Sequence, residues 1–140
     1  MALGKCEESL AVNKRSFNAI TNINWLHTQK TSALVACKRF EEAVIHGKQT
    51  LWAGKTPAEK AASHFHLGNA YTGLQQHQYA QEAYGKAAQQ DSRGYYWQAW
   101  IASLEKLGQK TKARQLLLES PGTIRQSAWV KKWLDASSNR

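Results

Sequence analysis

Residues 61–93 read AASHFHLGNAYTGLQQHQYAQEAYGKAAQQDSR, and the order of small and large side chains in this stretch decides the fold. Small residues at Gly68, Ala80 and Ala87 are set among large ones at Leu67, Tyr71 and Tyr84. On a helical hairpin this spacing puts the small side chains where two backbones approach, with the large ones beside them as knobs. Between them, Gly73-Leu74-Gln75-Gln76-His77-Gln78 is polar enough to turn the chain from one helix to the next.

Working outward, the same arrangement recurs 33 residues later, with Leu107 standing for Leu74 and Ala113 for Ala80. Trp97, Trp100 and Leu104 line one face of a predicted helix, and Leu117 takes the place of Tyr84. Leu107-Gly108-Gln109-Lys110 makes the turn, with Gly108 suited to the left-handed position after a helix. A weaker copy lies 37 residues upstream, where Leu34, Phe40, Ala43 and Gly47 stand for Tyr71, His77, Ala80 and Tyr84. Its second helix is predicted to run from Phe40 through Val44 to Leu51 and Trp52. Thr56, Pro57 and Glu59 then form a capping-box signature for the next helix.

These residues resemble the tetratricopeptide-repeat (TPR) family, whose unit is a helix–turn–helix of about 34 residues. The middle copy carries the resemblance through Leu67, Gly68, Tyr71, Ala80, Tyr84 and Ala87. The third carries it through Trp97, Trp100, Leu104, Ala113, Leu117 and Ser120. Three places depart from the family pattern: His64 replaces an aromatic, Ile101 a small residue, and Ser92 a common proline. The resemblance implies an all-α fold, a TPR-like solenoid of helical hairpins with about three repeats and a capping helix at each end. The single domain 1–140 then divides into an N-terminal helix at 3–20, a degenerate repeat at 24–55, repeats at 61–93 and 94–120, and a capping helix at 123–136. Leu3, Cys6, Leu10, Phe17 and Ile20 mark the first cap. Trp129, Val130, Trp133 and Leu134 mark the last, opposite Lys131 and Lys132.

A composition of 42% hydrophobic residues with six Trp, five Tyr and three Phe belongs to a folded chain rather than a disordered one. No apolar run is long enough for a transmembrane helix, and the opening residues lack the apolar stretch of a secretory signal. The cytoplasm is therefore the favoured compartment, with export as the alternative if a signal has been removed. Cys6 and Cys37 are too few for a disulfide scaffold and read as two small thiols, or as one bridge in an exported protein. The net charge of +9 is uneven: residues 106–140 hold eight basic and two acidic side chains, while 60–105 hold three of each.

No catalytic constellation stands out, so no enzyme activity, cofactor or metal is expected. The five histidines lack ligand spacing, since His64 and His66 point about 200° apart on a helix. His64 reads as a histidine at the edge of the core. Glu41 and Glu42 sit at a helix start, where the positive end of the macrodipole explains them.

The implied function is a protein-interaction scaffold that binds a peptide or helix of a partner in a concave groove. The family's groove-facing places fall on Ala62, Phe65, Asn69, Thr72 and Gly73 in the middle copy, and on Tyr95, Gln98, Ala102, Glu105 and Lys106 in the third. In the first copy they fall on Trp25, Thr28, Ser32, Val35 and Ala36. Asn69 is the candidate for gripping a ligand backbone, with its side chain free until the ligand arrives. The carboxylate clamp of chaperone-binding members is not matched, because Gln98 and Ala99 occupy the corresponding region. Lys110, Lys112, Arg114, Lys131 and Lys132 form a basic patch that favours acidic partners. A nucleic-acid or anionic-surface adaptor using that patch is the minority alternative, and a self-associating homo-oligomeric stack is a third.

Overall fold

The structure, a computed structural model, describes Cys6 and residues 23–138. The helix expected at 3–20 lies outside the described residues apart from Cys6. Among those residues the fold is all-helical, with eight α-helices, one short 3-10 turn and no strand. The helices are α1 (Ile23–Ala36), α2 (Phe40–Gln49), α3 (Pro57–Gly73), α4 (His77–Gln90), α5 (Gly94–Lys106), α6 (Lys110–Leu118), α7 (Gly122–Arg125) and α8 (Ala128–Ser138).

Helices α1 and α2, α3 and α4, and α5 and α6 are paired by three short turns of one design. Each turn puts a single residue in the left-handed region: Lys38 at φ 59°, Gln75 at φ 59° and Gly108 at φ 72°. Each also closes with the same two backbone bonds. Arg39 N–H donates to Leu34 C=O as Gln76 does to Tyr71 and Gln109 to Leu104. Lys38 N–H donates to Val35 C=O as Gln75 does to Thr72 and Gly108 to Glu105. This is the Schellman pattern, which satisfies carbonyls a helix end leaves unpaired. The three left-handed residues are separated by the 37- and 33-residue shifts found in the side-chain pattern, so the duplication extends to the backbone.

The main core gathers Tyr84, Tyr96, Trp97, Trp100, Leu104, Leu117, Ile124 and Val130 around the small Ala61, Ala80, Ala87 and Ala113. Gly68 permits the closest approach of α3 and α4, because a Cβ there would stand 2.6 Å from the Tyr84 ring. The capping box is formed as expected. Thr56 Oγ1 accepts from Glu59 N–H, and Glu59 reaches back to the N–H groups of Thr56 and Lys55. Two helix limits differ from the expected ones. α2 stops at Gln49, where the Thr50 hydroxyl donates to His46 C=O and N–H does the same, and Leu51–Ala53 continue as a 3-10 turn. The cap expected over 123–136 is broken at Gln126 and Ser127 into α7 and α8, and the Ser127 hydroxyl folds back on Ile124 C=O.

Among the described residues a second, smaller cluster joins Leu34 and Ala43 of the first hairpin to Ala70 of α3, flanked by Val35 and Val44. Here the structure departs from the expectation of two separate thiols: Cys6 and Cys37 form a disulfide, with Cα atoms 5.3 Å apart. Cys37 directly follows α1, and the fold brings Cys6 to it, a proximity that sequence spacing does not announce.

The same region holds a histidine pair. The His27 and His46 rings lie 5.2 Å apart, and Trp52 meets His27 edge-on at 5.9 Å. Burial, then the charges of Lys30 and His27, lower the His46 pKa to about 4. A base whose folded pKa is depressed leaves stability untouched above its unfolded pKa of about 6.5. Below that, the unfolded chain takes up a proton that the fold resists, and stability falls until about pH 4. Because His46 is only half-buried, solvent screening reduces the effect to about 1–2 kcal/mol. Denaturant unfolding from about pH 7 to about pH 4.5 should show this loss, and His46→Gln should make the slope shallower, the remainder coming from His64 and His66, whose pKa values are also lowered. An unchanged slope in the variant would place the pH sensitivity elsewhere.

Candidate peptide-binding surface

Phe65 on α3 is the hub of the site. Its ring lies 5.1 Å from Tyr96, 5.3 Å from Tyr95 and 5.7 Å from Tyr84, centroid to centroid. Tyr95 meets Tyr96 edge-on at 4.4 Å, and both rings at the start of α5 reach Phe65 on α3. Tyr96 is buried and its hydroxyl is hard to ionise, chiefly through desolvation. Tyr95 remains 48% exposed.

One turn along α3 from Phe65, Asn69 is held in a hydrogen-bond cluster. The Tyr84 hydroxyl donates to Asn69 Oδ1 at 2.6 Å and lies 3.0 Å from Thr72 Oγ1, which also lies 2.9 Å from Gly68 C=O. This corrects the expectation of a free Asn69 side chain. Tyr84 is buried, and a buried phenol must place its hydroxyl. Tyr84 takes a packing place in the repeat pattern, and its polar end is the signal that a partner stands across the hairpin. Asn69 keeps its amide nitrogen, which makes no hydrogen bond within the described residues.

Thr72 of the middle copy is exposed on α3, and the third-copy positions divide. Gln98 is exposed, one turn beyond Tyr95 on α5. Glu105 is exposed but not free, since its carboxylate accepts from the Trp133 indole N–H at 3.0 Å. Lys106, the next residue, is exposed at the end of α5. In the first copy, Thr28 is buried, and its hydroxyl donates to Trp25 C=O rather than facing a groove.

The basic patch also changes. Lys110 and Lys112 on α6, and Lys131 and Lys132 on α8, are exposed as expected. Arg114 is not part of a free patch. Its guanidinium donates to Ser137 Oγ at 2.7 Å and to Leu134 C=O at 3.3 Å, tying α6 to the last turns of α8. A cation there meets the negative end of the helix dipole.

His64 and His66 are half-buried, and their pKa values are lowered chiefly by desolvation, with Lys86 adding to the effect at His64. Among the described residues, no group of three or more His, Cys, Asp or Glu is arranged to hold a metal. No helix among them is long and apolar enough to cross a membrane. Comparison with family models, with curated proteins and with solved structures finds no match to this chain, so its function is read from its own residues.

Proposed function

We propose that this chain is a TPR-like interaction module that binds a peptide segment of a partner protein along the faces of α3 and α5. The observation that carries this reading is the Phe65–Tyr95 aromatic ledge beside Asn69, whose orientation is set by Tyr84. Rigid aromatic side chains with few rotatable bonds, next to a fixed amide, are the kind of group on which binding energy concentrates. The repeated hairpin turns support the family reading, because a TPR unit is one such hairpin. The basic patch supports a nucleic-acid adaptor less well. Single-strand binders interleave exposed aromatics with cations, and here Trp129 and Trp133 pack against the core beside Lys131 and Lys132.

Site-specific photocrosslinking in the native host tests the proposal. With p-benzoylphenylalanine replacing Gln98, a discrete protein adduct is expected. The same replacement at Lys110 should give none. Adducts from Lys110 alone, or adducts that dissolve under nuclease treatment, would move the site to the basic face.

A further inference from the structure

We propose that the ligand segment seated on this ledge is extended, uncharged and rich in proline, an inference that rests on the peptide-binding reading above. The first support is the placement of charge. Phe65, Asn69, Thr72, Tyr95 and Gln98 carry none. Arg93, two residues before Tyr95, is bonded to Asp91 at 2.7 Å, and Glu105 is engaged by Trp133. The exposed lysines of the carboxy-terminal third lie on α6, α8 and the end of α5. A carboxylate or ammonium docked on the ledge would lose its water without gaining an opposite charge, and an uncharged segment avoids that cost. The acidic preference expected from net charge thus does not extend to the ledge itself.

The second support is the hydrogen-bonding sense. With Tyr84 donating to its oxygen, Asn69 is left with two N–H donors, and Gln98 offers a second amide one turn past Tyr95. Donors need acceptors. A bound helix has already used its carbonyls internally, whereas an extended chain offers one at each residue. Polyproline II is such a chain: it makes no internal hydrogen bonds and is pre-ordered, so little freedom is lost on docking. Its prolyl rings are flat apolar surfaces suited to exposed aromatic surface such as that of Tyr95 beside Phe65.

Selection from a random dodecapeptide display library on the folded protein tests this. Enriched peptides should gain proline and lose charged residues over their common core. By fluorescence anisotropy, Tyr95→Ala should weaken a selected peptide about tenfold, and Gln98→Ala should weaken it measurably. Lys110→Ala should leave it unchanged. Circular dichroism of each variant separates lost binding from lost folding. Enrichment of acidic or amphipathic-helical peptides that still depend on Tyr95 would overturn the ligand class and leave the peptide-binding reading standing. Failure to enrich any peptide, or enrichment indifferent to both Tyr95→Ala and Gln98→Ala, would overturn both.

Discussion

Trp100→Ala is expected to lower the unfolding free energy by about 3–5 kcal/mol, the range for deleting a large aromatic from a packed core. Trp100 is only 6% exposed. Its ring lies 5.1 Å from that of Trp97 and against Gly85, where an added Cβ would be 2.9 Å away. Its indole N–H donates to Gln81 Oε1 at 3.3 Å, so truncation leaves both a cavity and a buried amide oxygen short of a donor. Denaturant unfolding measures the loss. Leu118→Ala, at a site 43% exposed, serves as the comparison and should cost well under about 1 kcal/mol. Equal costs for the two would mean that α4 and α5 do not pack as described.

Removing the Cys6–Cys37 bridge has the other large effect. The two cysteines are 31 residues apart in sequence, and the chain-entropy relation assigns a loop of that size about 3–4 kcal/mol. Cys37→Ser should therefore lower stability by about 2–4 kcal/mol, and the variant should no longer respond to reductant. The protein isolated under oxidising conditions should resist alkylation until it is both unfolded and reduced. Prompt labelling of both thiols on unfolding alone would show that no bridge exists. The bridge closes on the first hairpin, whose Leu34 and Ala43 cluster with Ala70 of α3 among the described residues. Bridges of this kind persist in oxidising surroundings and are rare in the cytosol.

The helices and their caps were legible because they depend on neighbours close in sequence. Thr56 and Glu59 cap α3 within four residues, Gly108 ends α5 by its own backbone freedom, and Trp97, Trp100 and Leu104 share a face through helical periodicity. The condition of the polar side chains was not legible. Periodicity indicates which way a side chain faces but not what it meets. Asn69 meets Tyr84 across 15 residues, Arg114 meets Ser137 across 23, and Glu105 meets Trp133 across 28. Each of Asn69, Arg114 and Glu105 sits at an expected site position and braces one helix against another. The ring contact of Phe65 with Tyr95 and the exposure of Gln98 are simpler, because ring packing and exposure follow from the helix face alone. The break at Gln126 and Ser127 had no local signal either, since neither residue is a glycine or a proline.

The bridge also sets how the molecule bears mechanical load. A pull on the chain ahead of Cys6 passes through the Cys6–Cys37 bond and enters the fold at the turn between α1 and α2. It does not travel along the peptide chain to Ile23. α1 is therefore off the load path, and tension reaches first the turn built around Lys38. For the same reason a single proteolytic cut between residues 7 and 36 leaves both fragments joined, and they come apart only when a thiol opens the bond.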